Sequence, residues 1–177
     1  MGHSPSGNIE FVAVNIAVVT ISDSRTEETD TAGKLLVDKL TDAGHQLAEK
    51  IIVKDNKYLI REVVSRLIAD DDVQAVITTG GTGLTGRDIT PESIKPLFDK
   101  EIEGFGEIFR WLSYQHIKTS TIQSRAFAGL ANGTPIFCLP GSPGACRDGW
   151  DEVISHQLDL RHKPCNLVEM MPRFMES

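Results

Sequence analysis

Thr78-Thr-Gly-Gly-Thr-Gly-Leu-Thr-Gly-Arg-Asp-Ile-Thr-Pro-Glu92 follows directly on Val73-Gln-Ala-Val-Ile77, a short run rich in β-branched residues. The run reads as a buried parallel strand, which puts the glycines in the loop at its carboxyl end. Four glycines there tolerate positive φ and let backbone N–H groups approach a ligand with no Cβ in the way. Successive N–H groups in such a turn make a concave anion nest suited to phosphate. Asp88 then places a carboxylate where phosphate would be repelled unless a cation lies between them. A glycine nest beside an acid points to a nucleotide or phosphate ester held together with Mg²⁺.

Two familiar phosphate-binding patterns fit poorly. The loop lacks the Gly-Lys-Ser/Thr ending of a P-loop. Gly81-x-Gly83-x-x-Gly86 matches the dinucleotide fingerprint in form, but Arg87-Asp88-Ile89-Thr90-Pro91 follows where an apolar helix should open. Pro91 suits instead the first turn of a helix starting near Thr90. On residue types alone, a flexible turn without a ligand remains the competing reading.

Working outward, Val14-Asn-Ile-Ala-Val-Val-Thr-Ile21 is a first strand apolar enough for burial on both faces, ending in the polar turn Ser22-Asp23-Ser24-Arg25. From about Asp30, the residues Ala32, Leu35, Leu36, Leu40 and Ala43 recur at helical spacing before a stop at Gly44. Residues 47–53 form the second strand. Asn56 is placed to cap a helix whose apolar face is Leu59, Ile60, Val63, Val64, Leu67 and Ile68. Beyond the glycine loop, a longer helix is expected over 104–117 and a short one over 123–131, carrying Ser124 and Arg125. Asn132-Gly133-Thr134 reads as a turn before the fourth strand, 135–139. Pro140-Gly-Ser-Pro-Gly144 leads into a last helix from about 145 to 158.

Strands alternating with helices predict a three-layer α/β/α fold with a mainly parallel sheet. The length of 177 residues suits one domain over 14–177, after a disordered leader at 1–13 and with an irregular tail from about 161. Strand-to-helix loops of such a sheet leave at one edge, where ligands bind. The loops 22–25, 54–56, 80–88 and 140–144 therefore share that edge. A net charge of −7 without a Lys/Arg cluster argues against a general nucleic-acid binder. No apolar run approaches the length that spans a membrane. Cys138, Cys146 and Cys165 show no C-x-x-C spacing, which fits a reduced cytoplasmic setting, and the histidines show no zinc-ligand spacing.

Thr78-Thr-Gly-Gly-Thr-Gly with Asp88-Ile-Thr-Pro-Glu92, together with Leu139-Pro-Gly-Ser-Pro-Gly144, resembles the MoaB/Mog family of molybdopterin-binding proteins, which includes the gephyrin and plant Cnx G domains. Ser22-Asp23 and the stretch from Gly104 through Arg110 to Ser113 extend the match. The 120–130 stretch, Cys146-Arg147 and the 161–166 tail look most like the MoaB branch. The resemblance implies a molybdopterin-binding fold and a place in molybdenum cofactor biosynthesis. Active members of the family are Mg²⁺-dependent nucleotidyltransferases that join AMP from ATP to the terminal phosphate of molybdopterin and release pyrophosphate. Some members of the MoaB branch lack one of the two essential aspartates. This chain keeps residues at both positions, Asp55 and Asp88.

Those two carboxylates are accordingly the expected catalytic and Mg²⁺-holding residues, although each also sits near a helix start, where an acid is favourable in any case. Gly80, Gly81, Thr82 and Gly83 would cradle phosphate. Ser22 and Asp23 extend the substrate site after the first strand, Asp23 toward a ribose or pterin, with an Asx-turn as its alternative role. Pro140, Gly141, Ser142 and Pro143 are expected on the opposite lip, unless they form a plain helix entry capped by Ser142. Glu107, Arg110 and Ser113 share one helical face, which the family places at the pterin pocket, with Arg110 able to contact phosphate. Trp111 and Tyr114 project elsewhere, toward a subunit contact, and the family forms trimers or hexamers. Other proteins of the same pathway are implied as partners. A non-catalytic molybdopterin carrier is the alternative to an enzyme.

Overall fold

The computed structural model describes residues 9–177, so part of the expected leader, 1–8, lies outside the described residues. Six strands form one sheet: β1 (Asn15–Ile21), β2 (Gln46–Val53), β3 (Ala75–Thr79), β4 (Lys100–Glu101), β5 (Phe127–Ala131) and β6 (Thr134–Leu139). Their spatial order is β2-β1-β3-β6-β5-β4. The first four in that order are parallel, and β5 and β4 run antiparallel at the far edge. The sheet is mixed but mostly parallel.

Burial on both faces explains why the central strands are apolar at consecutive positions. Ile16 and Val18 of β1 point into one core with Ile77 and Phe137, and Ala17, Val19 and Ile21 into another with Val76 and Ile136. The first core is covered by α1 (Thr31–Asp42), α4 (Glu103–Ile117) and α5 (Pro143–Gly149), through Leu36, Leu40, Phe105, Phe109 and Cys146. The second is covered by α2 (Lys57–Ala69) and α3 (Thr90–Ile94), through Ile60, Val64, Leu67 and Ile94. Each of these large side chains contributes about 1.5–3 kcal/mol by leaving water. The three-layer α/β/α expectation holds.

Helix ends follow local chemistry. The Asn56 side chain accepts the amides of Tyr58 at 3.0 Å and Leu59 at 3.2 Å, as its position before the apolar stripe predicts. Asp30 caps α1 by accepting Gly33 N–H at 2.9 Å.

Three expectations need correction. The stretch 123–131 is not a helix: it ends a 3₁₀ turn and becomes strand β5. The edge strand β4 was not expected. The last helix is interrupted by a π turn at Trp150–Ile154 before α6 (Ser155–Gln157), and Trp150 and Ile154 both pack in the core. Within the stretch beyond 161, α7 (Leu167–Met170) is capped by buried Asn166 and packs Val168 on the core. Among the described residues, no helix is long and apolar enough to cross a membrane.

Candidate functional site

Strand register decides which loops can meet. Ile21 pairs with Val53, Thr20 with Thr79, and Thr79 with Leu139, so β1, β2, β3 and β6 end level with one another. The loops that follow them emerge side by side at the carboxyl edge. From β1 the chain continues to β2 on one side, while β3 and β6 lie on the other. The point of reversal leaves a crevice between the loops after β1 and β3. A cleft of about 310 Å³ occupies it, lined by Ser22, Arg25, Asp30, Asp55, Thr79, Gly80, Gly81, Thr82, Gly83, Arg87, Asp88, Pro140 and Gly141, among others.

The glycine loop is held in a path that side chains would block. Gly80 and Gly81 have φ of +109° and +67°. A Cβ on Gly80 would stand 2.2 Å from the Ile21 carbonyl oxygen. Gly80 N–H donates to Leu139 O at 3.0 Å, and Thr90 closes the loop from below: its hydroxyl donates to Gly80 O at 2.8 Å and its amide to Gly81 O at 3.0 Å. Arg125 holds the outer arm. Its Nε donates to Gly83 O at 2.8 Å, its Nη2 to Asp88 O at 2.7 Å, and its Nη1 pairs with Glu92.

Asp55 and Asp88 flank this loop. A Cβ built on Gly81 would lie 3.3 Å from Asp55 Oδ1, and one on Gly83 2.7 Å from Asp88 Oδ2. Their environments push the two acids apart. Burial and then the Asp88 charge raise Asp55 above the ordinary carboxylate range. Burial, the largest single influence, opposes ionisation of Asp88, but the Thr85 hydroxyl and amide at 2.7 and 2.9 Å, the Gly83 amide and the Arg125 charge together hold the Asp88 carboxyl below that range. Two carboxylates of which one feels the charge of the other suit a shared cation that relieves the repulsion. Among the described residues no three His, Cys, Asp or Glu side chains converge to hold a metal unaided. Mg²⁺ fits such a donor set, because it commonly takes one or two carboxylates and fills its shell with water and substrate phosphate.

Asp23 is outside the lining of the cleft but shapes it. Its Oδ1 accepts the Asp55 amide at 3.2 Å, and its Oδ2 pairs with Arg87 across the mouth. The turn after β1 is closed by Ser22, whose hydroxyl oxygen accepts the Ser24 and Arg25 amides at 3.2 and 3.1 Å. The Asx-turn alternative for Asp23 is therefore not what forms. Ser142 caps α5 through Ala145 N–H at 3.2 Å, and Pro143 opens that helix.

The face carrying Glu107, Arg110 and Ser113 is split. Ser113 lines a hollow of about 220 Å³ with Ser142 that borders the cleft along Thr82, Gly83 and Pro140. Glu107 and Arg110 line a separate hollow of about 620 Å³ beyond Arg125. Arg110 is turned onto backbone, donating to Ala126 O at 2.9 Å. The pattern of helical spacing had placed all three together. Sequence reasoning also passed over Asp30, Arg87 and the loop-holding role of Arg125. Asp30 is 3% exposed, accepts the Thr20 hydroxyl at 2.7 Å and pairs with Lys50 at 3.0 Å under the cleft. Its only local signal was a cap position.

Residues 17–160 match the family described as "Probable molybdopterin binding domain". The chain is 56% identical over 157 residues to molybdenum cofactor biosynthesis protein B of Escherichia coli K12, covering 89% of this chain and 92% of that protein. With the protein of the same name from Bacillus subtilis, identity is 46% over 146 residues, 82% of this chain and 86% of the relative. A crystal structure of molybdenum cofactor biosynthesis protein B superposes with a TM-score of 0.81 at 45% identity, over 83% of this chain and 92% of that one.

Proposed function

Because this chain belongs to the family of molybdenum cofactor biosynthesis protein B, we propose that it acts in that pathway as a Mg²⁺-dependent molybdopterin adenylyltransferase. The observation that carries the reading is the meeting of Asp55, Asp88 and the Gly80–Gly83 nest in one cleft at the carboxyl edge. In this reaction an oxygen of the molybdopterin terminal phosphate attacks the α-phosphorus of ATP, and the bond to pyrophosphate breaks. Two polyanions must be brought together and held in line. Mg²⁺, held by Asp55 and Asp88 directly or through water, would neutralise phosphate charge.

The remaining work falls to the chain itself. With Gly80 N–H spent on Leu139 O and Gly83 N–H on Asp88, the Gly81 and Thr82 amides bind phosphate, and Pro140 and Gly141 close the facing wall. Thr85 donates to the Asp88 carboxylate and favours its ionised form, while Asp23 fixes the backbone of Asp55. The adjoining hollow at Ser113 and Ser142 offers space for the pterin. On α4, Trp111 and Tyr114 stand exposed about 60° apart around the helix, which supports a homo-oligomer.

The test is turnover with molybdopterin, ATP and Mg²⁺, following pyrophosphate and adenylylated pterin. Asp55→Ala and Asp88→Ala should each lower turnover by roughly a hundredfold while pterin binding persists. Wild-type protein that binds pterin tightly and never turns over would sink the enzyme and leave the carrier.

A further inference from the structure

We propose that Arg87 is a phosphate-binding residue of the cleft, parked on Asp23 in the free chain and transferred to the substrate polyphosphate on binding. The inference rests on the reading of the cleft as a nucleotide site. Arg87 sits at the tip of the glycine loop, its side chain 70% exposed, and it lines the cleft while pairing across the mouth with Asp23. The cleft holds Asp55, Asp88 and, paired with Lys50, Asp30, so a cation of the chain adds to what Mg²⁺ supplies against the repulsion an incoming polyanion meets. Arg25, the other cation in the lining, has Nη1 committed to Thr29 O at 3.0 Å within its own turn. Lys50 is committed to Asp30 and Glu27.

Arg87 is free to exchange because its present pair is weak. An ion pair between two partly exposed side chains contributes little, whereas a guanidinium on phosphate in a confined cleft makes paired, charge-assisted hydrogen bonds. The exchange also leaves the acid loop intact. Arg87 uses Asp23 Oδ2, and the Asp55 amide uses Oδ1, so departure of the guanidinium does not release Asp55. Asp23 thus competes with substrate for Arg87.

Competition gives opposite signs for the two partners. With inorganic pyrophosphate and Mg²⁺ in isothermal titration at fixed ionic strength, Arg87→Ala should weaken binding about tenfold. Asp23→Asn should tighten it by about twofold to fivefold. In the Arg87→Ala background the Asp23→Asn gain should disappear, which separates release of Arg87 from a general loss of negative charge. Arg87→Lys should recover part of the loss, since an ammonium keeps the charge without the fork. The assignment is overturned if Arg87→Ala binds pyrophosphate like wild type, if Asp23→Asn binds no tighter, or if its gain is the same without Arg87. Pyrophosphate behaviour as expected without adenylyl turnover would retire the enzyme reading and leave Arg87 in place. A wild type with no affinity for pyrophosphate would overturn both.

Discussion

Replacing Gly80 by Ala tests whether the loop path is dictated by contact or merely tolerated. The new Cβ would stand 2.2 Å from the Ile21 carbonyl oxygen, a backbone atom of β1 that cannot swing aside. The φ of +109° is itself unfavourable for an L side chain, at about 1–2 kcal/mol. Forcing β1 and the loop apart adds about 1–3 kcal/mol, the usual cost of overpacking. The sum, about 2–5 kcal/mol, lowers the melting temperature by roughly 4–20 °C in a domain of this size. Gly86→Ala is the control: nothing lies within 4 Å of its Cβ position and its φ is not positive. It should stay within about 0.5 kcal/mol of wild type. Thermal unfolding of both variants by circular dichroism decides the matter. A Gly80→Ala protein melting within about 2 °C of wild type would refute the reasoning.

Arg125→Ala removes the guanidinium from Gly83 O, Asp88 O and Glu92, and should destabilise by about 2–4 kcal/mol in urea unfolding. Amide exchange at Thr85 and Asp88 should accelerate beyond the global change, with Arg125→Lys intermediate; uniform acceleration would argue against a local hold. His45 supplies a pH dependence. Burial lowers its pKa, only partly offset by Asp159, and its Nδ1 accepts Val14 N–H at 3.1 Å, a bond that a protonated ring forfeits. The unfolded chain therefore takes the proton first: stability is complete above about pH 6.5 and declines as pH falls below it. His45→Gln, which can still accept that amide, should flatten the slope just below about pH 6.5, and an unchanged slope would remove His45 as its source.

Much of the architecture was legible because burial on both faces writes itself into composition. Consecutive apolar residues in β1, β3 and β6 allow only a covered sheet, and Asn56 starts α2 and Gly44 follows the end of α1 where expected. Strand β5 was misread because Phe-Ala-Gly-Leu-Ala contains good helix formers, and pairing with β6 overrode that local preference. The better signal was Asn132-Gly133, whose φ of 49° and 76° make the tight turn that joins two antiparallel strands. The glycine loop at the end of β3, with Asp88 beside it, could be read from residue types, whereas Asp55 was singled out through the family resemblance. Arg110 could not, since helical spacing does not say that Ala126 O lies within its reach. Nor could the role of Arg125, which depends on bonds to residues some forty positions away.

The loop that would hold phosphate is finished by parts of the chain made long after it. Gly80 N–H needs Leu139 O, Thr82 O receives the Arg125 amide, and Gly141 closes against Gly80. At ribosomal speeds of about 5–20 residues per second, the stretch between Gly80 and Gly141 takes on the order of several seconds to appear. A nascent chain halted before Leu139 can pair β1 with β2 and β3, yet it carries a glycine segment with no far wall. The far wall of the cleft therefore arrives in one late step, with Leu139 and Gly141.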